Sequence, residues 1–385
     1  MENQYNMKIN PLPALTWNRL KMNEGAVEVL KAQTGAEIAV SELPEGVSLK
    51  MLSGKEEGIE QESWEIQDSG CEGLSTDISG ENSSWQEIET AMGADFERHM
   101  DDSAVTLLET STDTDIEKPV IITFNYKEEA PASDRIYIHV AAKSSLSVIF
   151  AMKSEANVQA SLQIKTKAEQ EACVSLYVVQ LTGENSVVLT DVSSVCEEKA
   201  EVTLTKLELG GGVQYVGVCT TLKGNKSRFH AEAGYRVRKD QRLDMNYLVR
   251  HVGKKTISEM NASGVLEEDA FKLFRGTIDF PRGCAGAKGN EKEDILLLGE
   301  RQVNQTIPLI LCKEEDVEGN HGATIGRLPE QVLFYLGSRG IPEGAAEDLI
   351  ATAKLEAVCT RIPDEKVQQT VRAFLCAVSR ERICG

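Results

Sequence analysis

Aromatic side chains make up only 5% of this 385-residue chain, and its tryptophans, Trp17, Trp64 and Trp85, all precede the β-patterned region. A sugar-binding groove normally offers aromatic stacking platforms. Acidic pairs such as Asp240/Asp244 and Glu267/Glu268 are present, yet a β-helical polysaccharide-active enzyme is a weak reading of them. Apolar runs such as Ile307 to Cys312 stop far short of the roughly 20 residues that cross a bilayer. The polar start MENQYNMKIN lacks a basic stretch followed by an apolar one, which predicts no secretory signal. A soluble, cytoplasmic chain with no membrane partner is therefore expected.

The nine cysteines lie at 71, 173, 196, 219, 284, 312, 359, 376 and 384. None forms a C-x-x-C pair, which excludes a ferredoxin-like ligand run, and an odd number argues against a disulfide framework. Cys173, Cys219 and Cys376 sit in apolar patterns and are expected in the core, as is Cys312. Cys284 lies in the Gly-rich stretch Arg282-Gly283-Cys284-Ala285-Gly286, which favours reactivity.

Catalytic motifs are also missing. His251-Val252-Gly253-Lys254-Lys255-Thr256 has a Gly-Lys step, but Leu248 stands where a phosphate-binding loop needs its first glycine. Gly210-Gly211-Gly212 reads as a turn between strands, because no helix follows it. There is no G-x-S-x-G elbow and no H-E-x-x-H helix. The chain lacks the parts of a hydrolase or an ATPase.

What is present begins with charge. The formal net charge of −20 is local: Lys55 to Lys118 holds 19 acids and 3 bases, leaving 42 acids and 38 bases elsewhere. No clustered basic face exists to hold nucleic acid. Lys55 to Ser84 has too few apolar residues to bury and reads as a solvated, partly disordered insert. Ile88 to Leu108 could hold a helix.

From Pro119 to Cys312 short β-patterned runs begin every 12 to 15 residues, including Val120-Tyr126, Cys173-Leu181, Val213-Leu222 and Phe271-Phe280. Alternation as in EVTLTKLEL has a period of two, and no amphipathic helix separates the runs, so a βαβ sheet is excluded. A sandwich and a β-solenoid with turns of about 25 residues remain equally compatible. After Leu328 the period becomes helical. Three helices are expected over 329–338, 343–360 and 364–383, with Val367, Val371, Phe374, Leu375 and Val378 on one face and Asp364 as an N-cap. A cap at the end of a solenoid would cover its unpaired edge. The predicted division is 1–118 (mixed, with the acidic insert), 119–312 (β core) and 313–385 (helical).

The stretch His321-Gly322-Ala323-Thr324-Ile325-Gly326, followed by Leu333-Phe334-Tyr335-Leu336-Gly337-Ser338-Arg339-Gly340-Ile341, is specific. Together with Phe274-Arg275-Gly276-Thr277-Ile278-Asp279-Phe280 and Pro11-Leu12-Pro13, it resembles the SufB/SufD family of iron–sulfur cluster assembly scaffolds, the SufD branch most closely. The resemblance is strong from about residue 240 onward. It implies a mainly β fold, with a right-handed parallel β-helix between a mixed N-terminal region and a C-terminal helical domain. It implies a non-catalytic subunit that pairs with a SufB-like subunit and recruits a SufC-like ATPase. A nascent iron–sulfur cluster would form at the subunit interface, with no nucleotide site on this chain.

On this reading His321 is a candidate shared cluster ligand, since neutral imidazole is a competent iron ligand. Phe334, Tyr335 and Arg339 have the composition of a partner-binding anchor, beside the plainer reading that they pack the helices on the core. Many relatives carry cysteine two positions before the histidine, where this chain has Gly319. That departure disfavours the alternative of a SufB-like homodimer holding a cluster by itself.

Overall fold

The computed structural model describes residues 4–16, 21–32, 34–52, 85, 87–127 and 130–384, with side chains for all of these except 52 and 380–384. The acidic segment 55–84, and with it its expected disorder, lies outside the described residues.

Alternation of apolar and polar residues builds one structure almost throughout. After an antiparallel hairpin, β1 (Gln4–Ile9) with β2 (Gly25–Leu30), come β3 (Glu37–Val40), β4 (Val47–Leu52) and the short helix α1 (Ala94–Met100). Successive strands then alternate between two sheets. The first sheet holds β6 (Val120–Asn125), β8 (Ser145–Lys153), β10 (Cys173–Leu181), β12 (Glu201–Glu208), β14 (Arg228–Val237), β16 (Ile257–Glu267), β18 (Ala287–Leu298) and β20 (Val317–Gly326). The second holds β5 (Ala104–Thr110), β7 (Ala132–Val140), β9 (Gln159–Ala168), β11 (Val187–Cys196), β13 (Val213–Leu222), β15 (Arg242–His251), β17 (Phe271–Phe280) and β19 (Val303–Cys312). All pairings among these sixteen strands are parallel, so the chain winds a β-solenoid of eight two-strand turns. The antiparallel strands β3 and β4 close its first turn.

Register partners lie 26 positions apart between Val187 and Val213 and 32 apart between Phe271 and Val303, slightly longer than the turn expected from the sequence. One corner repeats through six successive turns. Asp113, Lys143, Glu171, Lys199, Lys226 and Lys255 all adopt left-handed φ between 55° and 61°. That conformation costs a non-glycine residue about 1–2 kcal/mol. It aims each N–H at a carbonyl of the next turn, as in Glu171 to Glu198 and Lys199 to Asn225, both 2.9 Å. The strain is offset by a hydrogen bond that the stack needs.

The core lies between the sheets, where Ile136, Leu162, Leu176, Val202, Phe229, Phe274 and their neighbours face inward. Both outer faces are also partly covered. The hairpin, the approach to α1 and α1 itself pack Met7, Ile9, Met92 and Phe96 onto Leu189 and Tyr215 of the second sheet. Ile88 to Leu108, read as one helix, is instead the approach to α1, then α1, then the start of β5.

Three C-terminal helices follow as expected: α2 (Glu330–Ser338), α3 (Glu343–Cys359) and α4 (Glu365–Cys384). Asp364 accepts the Val367 N–H at 2.9 Å and so caps α4. The helices do not cap the last turn. Leu355, Val358, Val371 and Leu375 bury against Ile149, Val179, Leu207 and Leu209 on the outer face of the first sheet. Each such side chain contributes about 1.5–3 kcal/mol, which outweighs any gain from covering an edge with polar helix surface. The solenoid also continues past the predicted boundary at 312, because 313–316 is a corner and β20 follows it.

A buried guanidinium ties both long helices to the first sheet. Arg236 on β14 is 2% exposed and donates to Glu267 at 2.5 Å, Asp348 of α3 at 2.6 Å and Ser379 of α4 at 3.2 Å. Removing it takes a buried cation away from two buried carboxylates. Arg236→Ala should lower stability to urea by about 3–5 kcal/mol. A loss under about 1 kcal/mol would show that apolar burial alone docks the helices.

Candidate functional site

The last turn differs from every other. β17 and β18 are buried along most of their length, β19 is half-buried, and β20 is exposed at nearly every position. β20 pairs with β18 on one side only, so the other edge of the first sheet is open.

His321 stands on this edge strand, in register with Glu291 of β18. It lies in a strand of the solenoid and not in the helical region expected over 313–385. Val317 packs on the core, so alternation turns Gly319, His321, Ala323 and Ile325 to the inner side of the solenoid, at its open mouth. A Cβ at Gly319 would sit 3.1 Å from Phe280 and 3.2 Å from Ile310, so the position faces packed apolar groups. Around Gly322 there is open space. Of the acidic groups beside the histidine, Glu318 pairs with Lys288 at 2.8 Å, and the Asp316 carbonyl accepts from Gly286.

Below His321 lies a polar knot that sequence reading missed. Lys272 of β17 is fully buried and pairs with Glu293 of β18, donating also to Thr306 at 3.0 Å and the Gln305 carbonyl at 3.3 Å. Thr306 and Tyr235 donate to the same Glu293 carboxylate, at 2.7 and 3.2 Å. Burial pulls the Lys272 ammonium down to about 8 against the pull of Glu293. Burial, reinforced by the Glu293 charge, pushes the neighbouring Glu291 carboxyl up to about 7. The signal was the alternation Gly289, Glu291, Glu293, Ile295, which marks an inward face. Its charges hide the alternation, because an inward face is expected to be apolar.

The second candidate surface is α2, which buries no residue. Phe334 is 79% exposed and Tyr335 56%, and the Arg339 guanidinium lies 5.2 Å from the Tyr335 ring centre. Leu333, Phe334, Gly337, Gly340, Ile341, Pro342 and Glu343 line an open groove of about 460 Å³ between α2 and α3. The packing role weighed for these side chains does not hold. No hydrogen bond or ring contact joins them to His321 among the described residues.

Other expectations need correction. Cys173 is exposed at the outward start of β10, Cys376 is exposed on α4, and Cys312 is exposed because its turn is the last. Cys219 is buried as expected. Cys284 is buried as well, and burial beside Glu314 pushes its thiol up, opposite to a reactive cysteine. The carboxylates Asp244 and Glu267 are buried and paired with Arg275 and Arg236, so neither is free to act in a groove. Among the described residues no three His, Cys, Asp or Glu side chains converge as a metal site. No helix there is long and apolar enough to cross a membrane.

Residues 123–354 match the family model of the SufBD core domain of the SUF system for iron–sulfur cluster assembly. The chain belongs to the SufBD family. It is 30% identical over 132 residues, 34% of its length, to the iron–sulfur cluster assembly protein SufD of Bacillus subtilis. It is 26% identical over 187 residues, 49% of its length, to SufB of the same organism. A chloroplastic SufBD family protein of Arabidopsis thaliana is 24% identical over 168 residues, 44% of this chain. The matched stretches span 30%, 40% and 30% of those three proteins.

The other histidine of the late turns serves as a contrast. His251 is fully buried, with Nδ1 2.8 Å from the Thr256 hydroxyl, Nε2 2.9 Å from the Ser258 hydroxyl, and its ring 4.8 Å from that of Phe280. Burial lowers its pKa to about 4. The folded state therefore takes up its proton later than the unfolded one, so stability is intact above pH 6.5 and lost as pH falls toward 4. The stability advantage of wild type over His251→Asn should shrink by about 3 kcal/mol across that window in urea unfolding. An advantage that stays constant would contradict a buried neutral imidazole.

Proposed function

We propose that this chain is a SufD-type scaffold subunit, working in the cytoplasm and not catalytic by itself. It pairs through the open last turn with a SufB-like subunit and recruits a SufC-like ATPase through α2. A nascent iron–sulfur cluster is assembled where the two scaffold subunits meet, and His321 contributes one ligand there. ATP hydrolysis resides in the partner and reshapes that junction.

The observation that carries this reading is the position of His321. In a SufBD-family chain, the imidazole of the resembling motif stands inward at the mouth of an unpaired last turn. An unpaired strand is a template for another chain. The exposed Phe334 and Tyr335 beside an arginine supply a separate anchor of the type that dominates interfaces. Family membership supports a part in the SUF machinery.

Co-expression with SufB-like and SufC-like partners, followed by size-exclusion chromatography, tests the assignment. Wild type should elute in a ternary complex. A Phe334→Asp, Tyr335→Asp double variant should keep the SufB-like subunit and bind the ATPase at least ~30-fold more weakly. A wild-type chain that elutes alone sinks the proposal. Loss of both partners in the double variant would deny α2 a separate docking role.

A further inference from the structure

We infer that Glu291 is a second ligand at the mouth of the solenoid, and that Glu291 and His321 together take a divalent transition-metal cation, ferrous iron being the cargo. The inference rests on the reading of His321 as a ligand and adds a residue to it.

Glu291 is only 6% exposed, yet among the described residues it accepts no hydrogen bond and forms no ion pair. A buried carboxylate without a donor or a cation is costly. The neighbouring Lys272 attracts it through space but gives its hydrogen bonds to Glu293, Thr306 and the Gln305 carbonyl. Glu293, two residues on and facing the same way, shows the contrast: it is met by Lys272, Thr306 and Tyr235.

Its surroundings are shaped for it. A Cβ added at Gly276, on the opposite strand β17, would overlap the Glu291 carboxyl group. Gly276 is not among the glycines with positive φ, so its backbone conformation does not call for glycine. The space it leaves does. Gly276 pairs with Pro308 in the last turn, and Glu291 pairs with His321. Glu291 and His321 are therefore neighbours across one strand spacing, about 4.8 Å between backbones, and their side chains leave on the same inward face.

An imidazole nitrogen and a carboxylate oxygen form a borderline donor pair that suits Fe²⁺, Co²⁺ or Zn²⁺. No third such side chain converges with them among the described residues. The remaining coordination positions fall to water or to the subunit that covers the open edge.

Anaerobic titration of the full-length chain with Co²⁺, read by its visible ligand-field absorption, tests the pair. Wild type should bind one ion with a Kd below about 1 mM. Glu291→Gln and His321→Ala should each weaken binding at least ~10-fold, and Gly276→Ala, which displaces the carboxyl, should weaken it in the same direction. Glu318→Gln, outside the site, should bind as wild type does. Thermal melts of all variants report that the fold is kept. Wild-type affinity in Glu291→Gln with weakened binding in His321→Ala would overturn the inference and leave the His321 reading standing. Wild-type affinity in His321→Ala would overturn both, and no uptake by wild type would overturn the pair as a site of this chain.

Discussion

In a solenoid the backbone of one turn is satisfied by the next. Each strand from β7 to β18 is paired on both sides by strands of neighbouring turns. The corner residues repeat this logic, accepting left-handed backbone so that Lys143, Glu171, Lys199 and Lys226 each reach a carbonyl one turn away. Such a stack must end twice, and the two ends are treated differently. At the start, β3 and β4 turn antiparallel and close it, with the hairpin and α1 packed nearby on the second sheet. At the finish none of the described elements closes it. The three helices instead lie along the outer face of the first sheet, tied by apolar burial and Arg236, and leave β20 bare.

That asymmetry explains which parts of the fold were legible. Strands of the middle turns were readable because alternation is enforced by an interior that excludes polar groups, as in Val174, Leu176 and Val178. The destination of the helices was not. Val371 and Leu375 mark an apolar face on α4, but a periodicity cannot say which surface receives it. A clue did exist in β10, where Val178, Val179 and Leu181 break strict alternation because both faces of that strand are buried. The end of the stack was misplaced for the opposite reason. β20 alternates nothing apolar against polar, since it has little interior to face, and so the sequence places 313–326 outside the β core.

The site was legible to the same degree. His321 and the exposed aromatics of α2 stand where sequence motifs placed them in the chain. Their exposure, and the distance in the fold between the two surfaces, required the structure. The polar knot of Lys272, Glu291 and Glu293 stayed hidden because alternation marks a charged residue as outward-facing. Only register, Glu291 beneath His321 and across from Gly276, gives them meaning.

The central claim is that the last turn is an interface awaiting a second chain. Hydrogen exchange read by mass spectrometry tests it most directly. In the isolated chain, amides of 317–326 should exchange far faster than those of 287–298, whose strand is paired on both sides. On addition of a SufB-like subunit, protection should rise in 317–326 and leave the middle turns unchanged. Strong protection of 317–326 in the isolated monomer, or no change on addition of the partner, would contradict the account.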